Sequence, residues 1–379
     1  SLMPWLTLTA LLHCIIVLVK RANLTSWVVI LSITTFTLSM CGTFLVRSGI
    51  LNSVHTFAND PARGIFILIF LFILISLSLV VFFLFHKENN KNKNNFFWLS
   101  RETSILINNW FMMYFLSVVL IGTVYPIFLD VISSEKISVG PPFYLRLIVP
   151  FLIPLLFFMS LGPRLKWIKS KIENKNSLII TFIVSIMLTF FIVKNLTTDL
   201  LFYTVLVSAA FFLFFTTLKE LFIKKFNNGP QSLAHFGFSL LILSILFNGI
   251  LSSETITNMK IGEKYVYSKG EIFFKKIEER KKDNFNSIIA YFEIKDKNGK
   301  TIELKPEIRI YNQPAIITSE ADIKTTLLED KFLVMNLVKG NEYFNIRYQV
   351  KPFMIWIWIS VLLLSFGGLM SLFKKKYER

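Results

Sequence analysis

Long apolar runs, broken by short polar segments, set the pattern of this chain. Nine of them approach the roughly 20 residues that cross a bilayer as a helix: Pro4–Val19, Ser26–Val46, Gly64–Phe85, Ser104–Phe128, Phe143–Leu161, Ser177–Val193, Leu200–Leu218, Gln231–Ile250 and Pro352–Phe373. Between the last two the pattern changes. Leu251–Lys351 alternates apolar and polar residues in short runs, such as Ser287–Lys295 and Ile302–Tyr311. Asp296-Lys297-Asn298-Gly299, between those two runs, is a hairpin-turn signal. The pattern predicts an all-α polytopic membrane bundle of about nine transmembrane helices, with a small β-rich extracytoplasmic domain. The predicted division is 1–250 for eight helices, 251–351 for the β domain, and 352–379 for the last helix and a basic tail.

Composition agrees. The chain is 54% hydrophobic, with 40 phenylalanines, and only 17% of its residues are charged, against about 25% in soluble domains. A net charge of +17 on a soluble protein would point to nucleic acid. Here the cations sit in short loops, so topology explains them and nucleic acid is not an expected partner. Eighteen cations fall in one alternating set, at Lys20/Arg21, Lys87–Arg101, Arg164–Lys175, Lys219–Lys225 and Lys374–Arg379; the opposite short loops hold five. The positive-inside rule places the first set in the cytoplasm. The Gly42–Gly64 loop and Leu251–Lys351 then face the other side, the periplasm of a bacterial inner membrane (or the equivalent face of a mitochondrial inner membrane).

The chain opens at Ser1 without an initiator Met, a basic leader or a cleavage site, and reads as the later part of a longer protein. Cys14 and Cys41 lie in separate apolar runs and read as inert buried thiols. Lys87–Asn95 is low-complexity and polar, a flexible cytoplasmic loop. The β domain holds neither histidine nor cysteine, and its carboxylates are scattered among lysines. It reads as a docking surface.

Four histidines carry the candidate chemistry. His13 lies in the first span and His235 in the eighth, where an ionisable side chain is costly and suggests a function. His13 is seven residues before Lys20, and His235 four residues into its span. At about 1.5 Å per residue both lie at similar depth, roughly 10 and 6 Å from the cytoplasmic end. Two imidazoles on oppositely directed helices could ligate one haem iron, with Thr9 or Ser239, each one turn away, orienting a ring. A neutral histidine bonded to a neighbouring helix is the plainer alternative. A transporter with proton-relay histidines, its helix broken at Pro150 and Pro154, is another. A non-catalytic scaffold is a third. His55 lies in the polar outer loop, as a ligand or proton donor, or simply hydrated. His86, beside Lys87, reads as an interfacial residue.

The loop GTFLVRSGILNSVHTFANDPARG, Gly42 to Gly64, resembles a segment of the CcmF-type cytochrome c haem lyases almost position for position. SLMPWLTLTALLH, Ser100-Arg101-Glu102, HFGFSLL, Thr318–Ala321 and the closing KPFMIWIW extend the resemblance in order. It implies that His13 and His235 ligate a b-type haem. It implies that His55 is one of two outer histidines that hold an incoming haem. That haem would arrive on a haem chaperone and be joined by thioether bonds to the CxxCH motif of apocytochrome c. Quinol would reduce it through the b haem, alongside other maturation subunits. The WWD loop and the first outer histidine of that family are not in this chain. The resemblance therefore implies lyase activity only together with that upstream portion, in one chain or as a separate N-terminal half.

Overall fold

The computed structural model describes residues 2–48, 61–85, 97–133, 137–172, 174–196, 199–223, 229–297, 299–313, 315–338 and 342–373. Among them, nine helices are long and apolar enough to cross a membrane. They are α1 (Leu2–Arg21), α2 (Thr25–Arg47), α3 (Pro61–Phe85), α4 (Arg101–Ser133), α5 (Pro141–Leu161), α6 (Lys175–Val193), α7 (Leu200–Ile223), α8 (Gly229–Leu251) and α9 (Met354–Phe373). The sequence predicted this fold class, a multi-helix membrane protein with a small β domain, and the structure has it. The physical cause is plain: in hydrocarbon a backbone must satisfy its own hydrogen bonds, and a helix does so within one segment. Pro150 and Pro154 lie inside α5, which runs through both; the break considered there is absent.

The chain forms two compact units, Ser1–Ile183 and Val184–Arg379. In the first, α1 packs on α2 and α4, and α4 on α5. Its core joins Leu6, Ala10, Cys14, Leu31, Met112, Phe115 and Leu155. Tyr114 donates to the Leu147 carbonyl (3.0 Å) and lies against the Phe151 ring, centroids 4.0 Å apart.

In the second unit, α8 packs on α7 and α9. The α8–α9 contact is backbone to backbone. A Cβ on Gly237 would stand 2.7 Å from the Leu364 nitrogen, and one on Gly367 2.6 Å from the Ala234 nitrogen. Small residues allow this approach, and close packing is what holds helices together in lipid.

Between α8 and α9 lie two antiparallel sheets. One has the order β1-β10-β9-β8, comprising Ser253–Met259, Phe344–Pro352, Glu329–Leu337 and Asp322–Thr325. The other runs β2-β3-β4-β6-β7, comprising Lys264–Tyr267, Gly270–Lys281, Phe285–Asp296, Glu307–Tyr311 and Ile317–Glu320, with β5 (Thr301–Leu304) also on β4. Period-2 burial drives this: Leu333, Met335, Ile346, Tyr348, Phe274 and Phe292 all turn into one core. The predicted hairpin around Asp296 exists, with Lys295 opposite Thr301. The run Ile302–Tyr311, however, is two strands. Pro306 interrupts it, having no N–H for a ladder, and its carbonyl accepts from Ala290 N–H (3.0 Å).

Candidate functional site

His13 sits half-buried on α1, at the flank of the face formed by Leu6, Ala10 and Cys14. Its Nδ1 lies 2.8 Å from the Thr9 carbonyl. A carbonyl only accepts, so Nδ1 carries the proton. In the neutral ring Nε2 then carries the lone pair, the form that ligates a metal. The sequence offered Thr9 as one residue that could orient a ring; its backbone carbonyl, not its side chain, lies against His13. The Thr9 hydroxyl donates instead to the Trp5 carbonyl (2.8 Å). The adjacent Cys14, a buried free thiol, accepts from Asn109 Nδ2 of α4 at 2.9 Å. This bond and the core fix the rotation of α1, and with it the direction in which His13 leaves the helix.

His235 sits half-buried in the second turn of α8. Gly237, two residues on, faces α9. Two residues are about 200° of helical turn, so His235 leaves α8 on the side away from α9. The α7 face of α8 is marked by Phe236 on Phe214 (5.3 Å) and by Ser239, whose hydroxyl lies 3.4 Å from that of Thr217. The Ser239 hydroxyl donates to the Phe236 carbonyl (2.8 Å); it serves the α7–α8 contact. His13 belongs to the first compact unit and His235 to the second.

His55 and His86 lie outside the described residues, as does Lys87–Asn95. The ends of the outer loop are described. Arg47 closes α2 and Arg63 stands in the first turn of α3. A Cβ on Gly64 would be 2.9 Å from Ser48 Cα, so the two ends of the loop meet backbone to backbone.

Sequence reasoning about chemistry missed a polar cluster in the first unit. Glu102, in the first turn of α4, is 4% exposed. Its carboxylate lies 3.1 Å from Arg21 Nε at the end of α1 and accepts from the Ile168 N–H (3.0 Å). Arg101 donates to the Pro163 carbonyl (3.1 Å) and lies over the Trp167 ring. The available signal was an acidic residue at the N-terminus of an apolar helix, where the helix dipole favours it.

A set of membrane-length helices whose last two members bracket an antiparallel sandwich defines a polytopic membrane protein with one extramembrane domain. Comparison with known proteins narrows this class. Residues 250–352 match the family described as CcmF C-terminal beta-sandwich. The whole chain aligns with the cytochrome c-type biogenesis protein CcmF of Pseudomonas fluorescens, 33% identical, covering 59% of that protein. It also aligns with CcmF of Escherichia coli K12, 31% identical, covering 60% of it. A solved structure named cytochrome c heme lyase CcmF shares the fold at a TM-score of 0.74 and 18% identity, over 97% of this chain and 58% of that one. Over its whole length the chain is similar to the CcmF proteins, and residues 250–352 match the model of their C-terminal beta-sandwich. It spans about three fifths of the length of these relatives.

Proposed function

We propose that this chain is the haem-handling part of a cytochrome c haem lyase. The observation that carries the reading is the alignment of the whole chain with cytochrome c-type biogenesis proteins. In this reading His13 and His235 hold a b-type haem. The Nδ1–Thr9 bond supports that role, because it leaves Nε2 as the donor nitrogen and makes the ring a more basic ligand. Such a haem supplies one-electron transfer, here from quinol, to keep the iron of the substrate haem reduced. His55 would be one of two outer histidines that hold that substrate haem, brought by a haem chaperone. The thiols of the apocytochrome CxxCH motif add across its vinyl groups, a redox-neutral step that consumes no oxidant. Other maturation subunits, and an N-terminal portion bearing the WWD loop, complete the site.

We assign residues 1–250 to the haem-handling helices, 251–351 to a docking domain and 352–379 to the final anchor. The loop cations orient the chain in a bacterial inner membrane (or a mitochondrial one), with the β domain on the periplasmic side.

The test is spectroscopic. Purified protein should show a reduced b-type haem spectrum, and His13→Ala and His235→Ala should each abolish it. A double variant that keeps its haem overturns the ligand pair.

A further inference from the structure

The turn joining β8 to β9 is Thr326-Leu327-Leu328-Glu329. Such turns favour Gly, Pro, Asn, Asp and Ser at their centre. This one places two leucines there, 66% and 68% exposed. Neither belongs to the core of the sandwich. The turn is well formed: Thr326 N–H donates to the Glu329 carbonyl (3.0 Å), and Glu329 N–H to the Thr326 hydroxyl (3.1 Å).

Its position is fixed by α9. Glu329 pairs with Pro352, the last residue of β10, so the turn projects past the end of the sandwich, beside the first turn of α9. There the Trp356 indole Nε1–H donates to the Leu327 carbonyl (2.8 Å), and Phe353 N–H to the Leu328 carbonyl (2.8 Å). Phe353 adopts a left-handed φ of 61°, strained for a bulky residue, and its N–H reaches the turn from that conformation. Both central carbonyls of the turn are thereby paired within the protein, which lowers the cost of moving them out of water toward the hydrocarbon. The acidic residue of the turn, Glu329, is paired with Lys331 at 3.4 Å. Trp356 and Trp358, the latter 66% exposed, mark this level as the aromatic belt of the span.

We infer that the Leu327-Leu328 turn inserts into the interfacial zone of the leaflet that α9 enters, a second membrane contact that holds the sandwich upright. Its partner is the lipid bilayer itself, recognised through paired apolar side chains on a turn whose two central carbonyls are already bonded.

The test uses the full chain with Cys14→Ala and Cys41→Ala, reconstituted in phosphatidylethanolamine/phosphatidylglycerol vesicles. Leu327→Cys and Leu328→Cys are spin-labelled, one at a time. Ile261→Cys, on the sandwich, is the aqueous control and Leu362→Cys, on α9, the lipid control. Accessibility to oxygen relative to a water-soluble nickel complex should rise several-fold at 327 and 328 over 261, toward the value at 362. Values at both turn positions equal to that at 261 overturn the proposal and leave the leucines to a protein partner.

Discussion

Arg21, the last residue of α1, and Glu102, in the first turn of α4, form an ion pair at 3.1 Å while the Glu102 side chain is 5% exposed. The same carboxylate takes the Ile168 N–H, so one group ties two helix ends to the segment that follows α5. Breaking a buried pair from one side strands the other charge. Because Arg21 keeps 20% exposure, Glu102→Ala should cost near the lower end of about 3–5 kcal/mol. Glu102→Gln keeps an acceptor for Ile168 and should cost less. Thermal melts of the purified protein should rank wild type above Gln above Ala; indistinguishable melts would reject the role.

The α8–α9 contact predicts a second stability effect. A methyl on Gly237 would meet the Leu364 nitrogen and the Ser360 carbonyl, and one on Gly367 the Ala234 nitrogen. These are backbone atoms that cannot swing aside. Gly237→Ala and Gly367→Ala should each destabilise the protein by about 1–3 kcal/mol, the usual range for overpacking. Gly249→Ala, where open space surrounds the position, is the control. If all three melt alike, the close approach does not limit stability.

The two haem roles proposed for the His13/His235 pair and for His55 should separate by residue. His55→Ala should leave the b-type haem spectrum intact yet abolish formation of holocytochrome c, read as haem-stained cytochrome in a complemented deletion strain. Normal maturation in that strain would remove His55 from the outer site.

The sandwich should weaken in alkali. Lys331 occupies a core-facing position of β9. Burial pulls its ammonium down, but Asp296 at 2.6 Å and Glu329 outweigh burial and hold it above the ordinary lysine value. Burial pushes the Tyr348 phenol far up, and that of Tyr267 up as well. Raised values mean that the stabilisation is complete below the unfolded-state values, near 10, and is lost as pH climbs through the folded ones. The melting temperature of the full chain in detergent should therefore hold to about pH 10 and then fall. Tyr348→Phe should fall less steeply between about pH 10 and 11. An equal fall would show that Tyr348 contributes nothing to it.

Local pattern was enough for the elements. It found the nine helices because a run of about 20 apolar residues in lipid has one cheap way to pair its backbone. It found the β domain because alternation of period 2 buries one face of a strand. It singled out His13 and His235 because each is a polar group in an apolar helix. Alternation along Ile302–Tyr311 does not show where one strand ends and the next begins, because periodicity gives no weight to the N–H that Pro306 lacks.

By itself, then, the sequence determined which segments are membrane-length helices and where the β domain lies, and it singled out the candidate histidines, since all of these follow from neighbours a few positions away. Only the tertiary structure decided how those residues are committed. It turned the Thr9 carbonyl onto His13, brought Glu102 to Arg21 and Ile168, drew α8 against α9 at Gly237, and pinned Leu327 and Leu328 beside Trp356. Most of these contacts join positions far apart in the chain, and even the local one depends on how the ring is turned. Their formation depends on packing that no local periodicity encodes.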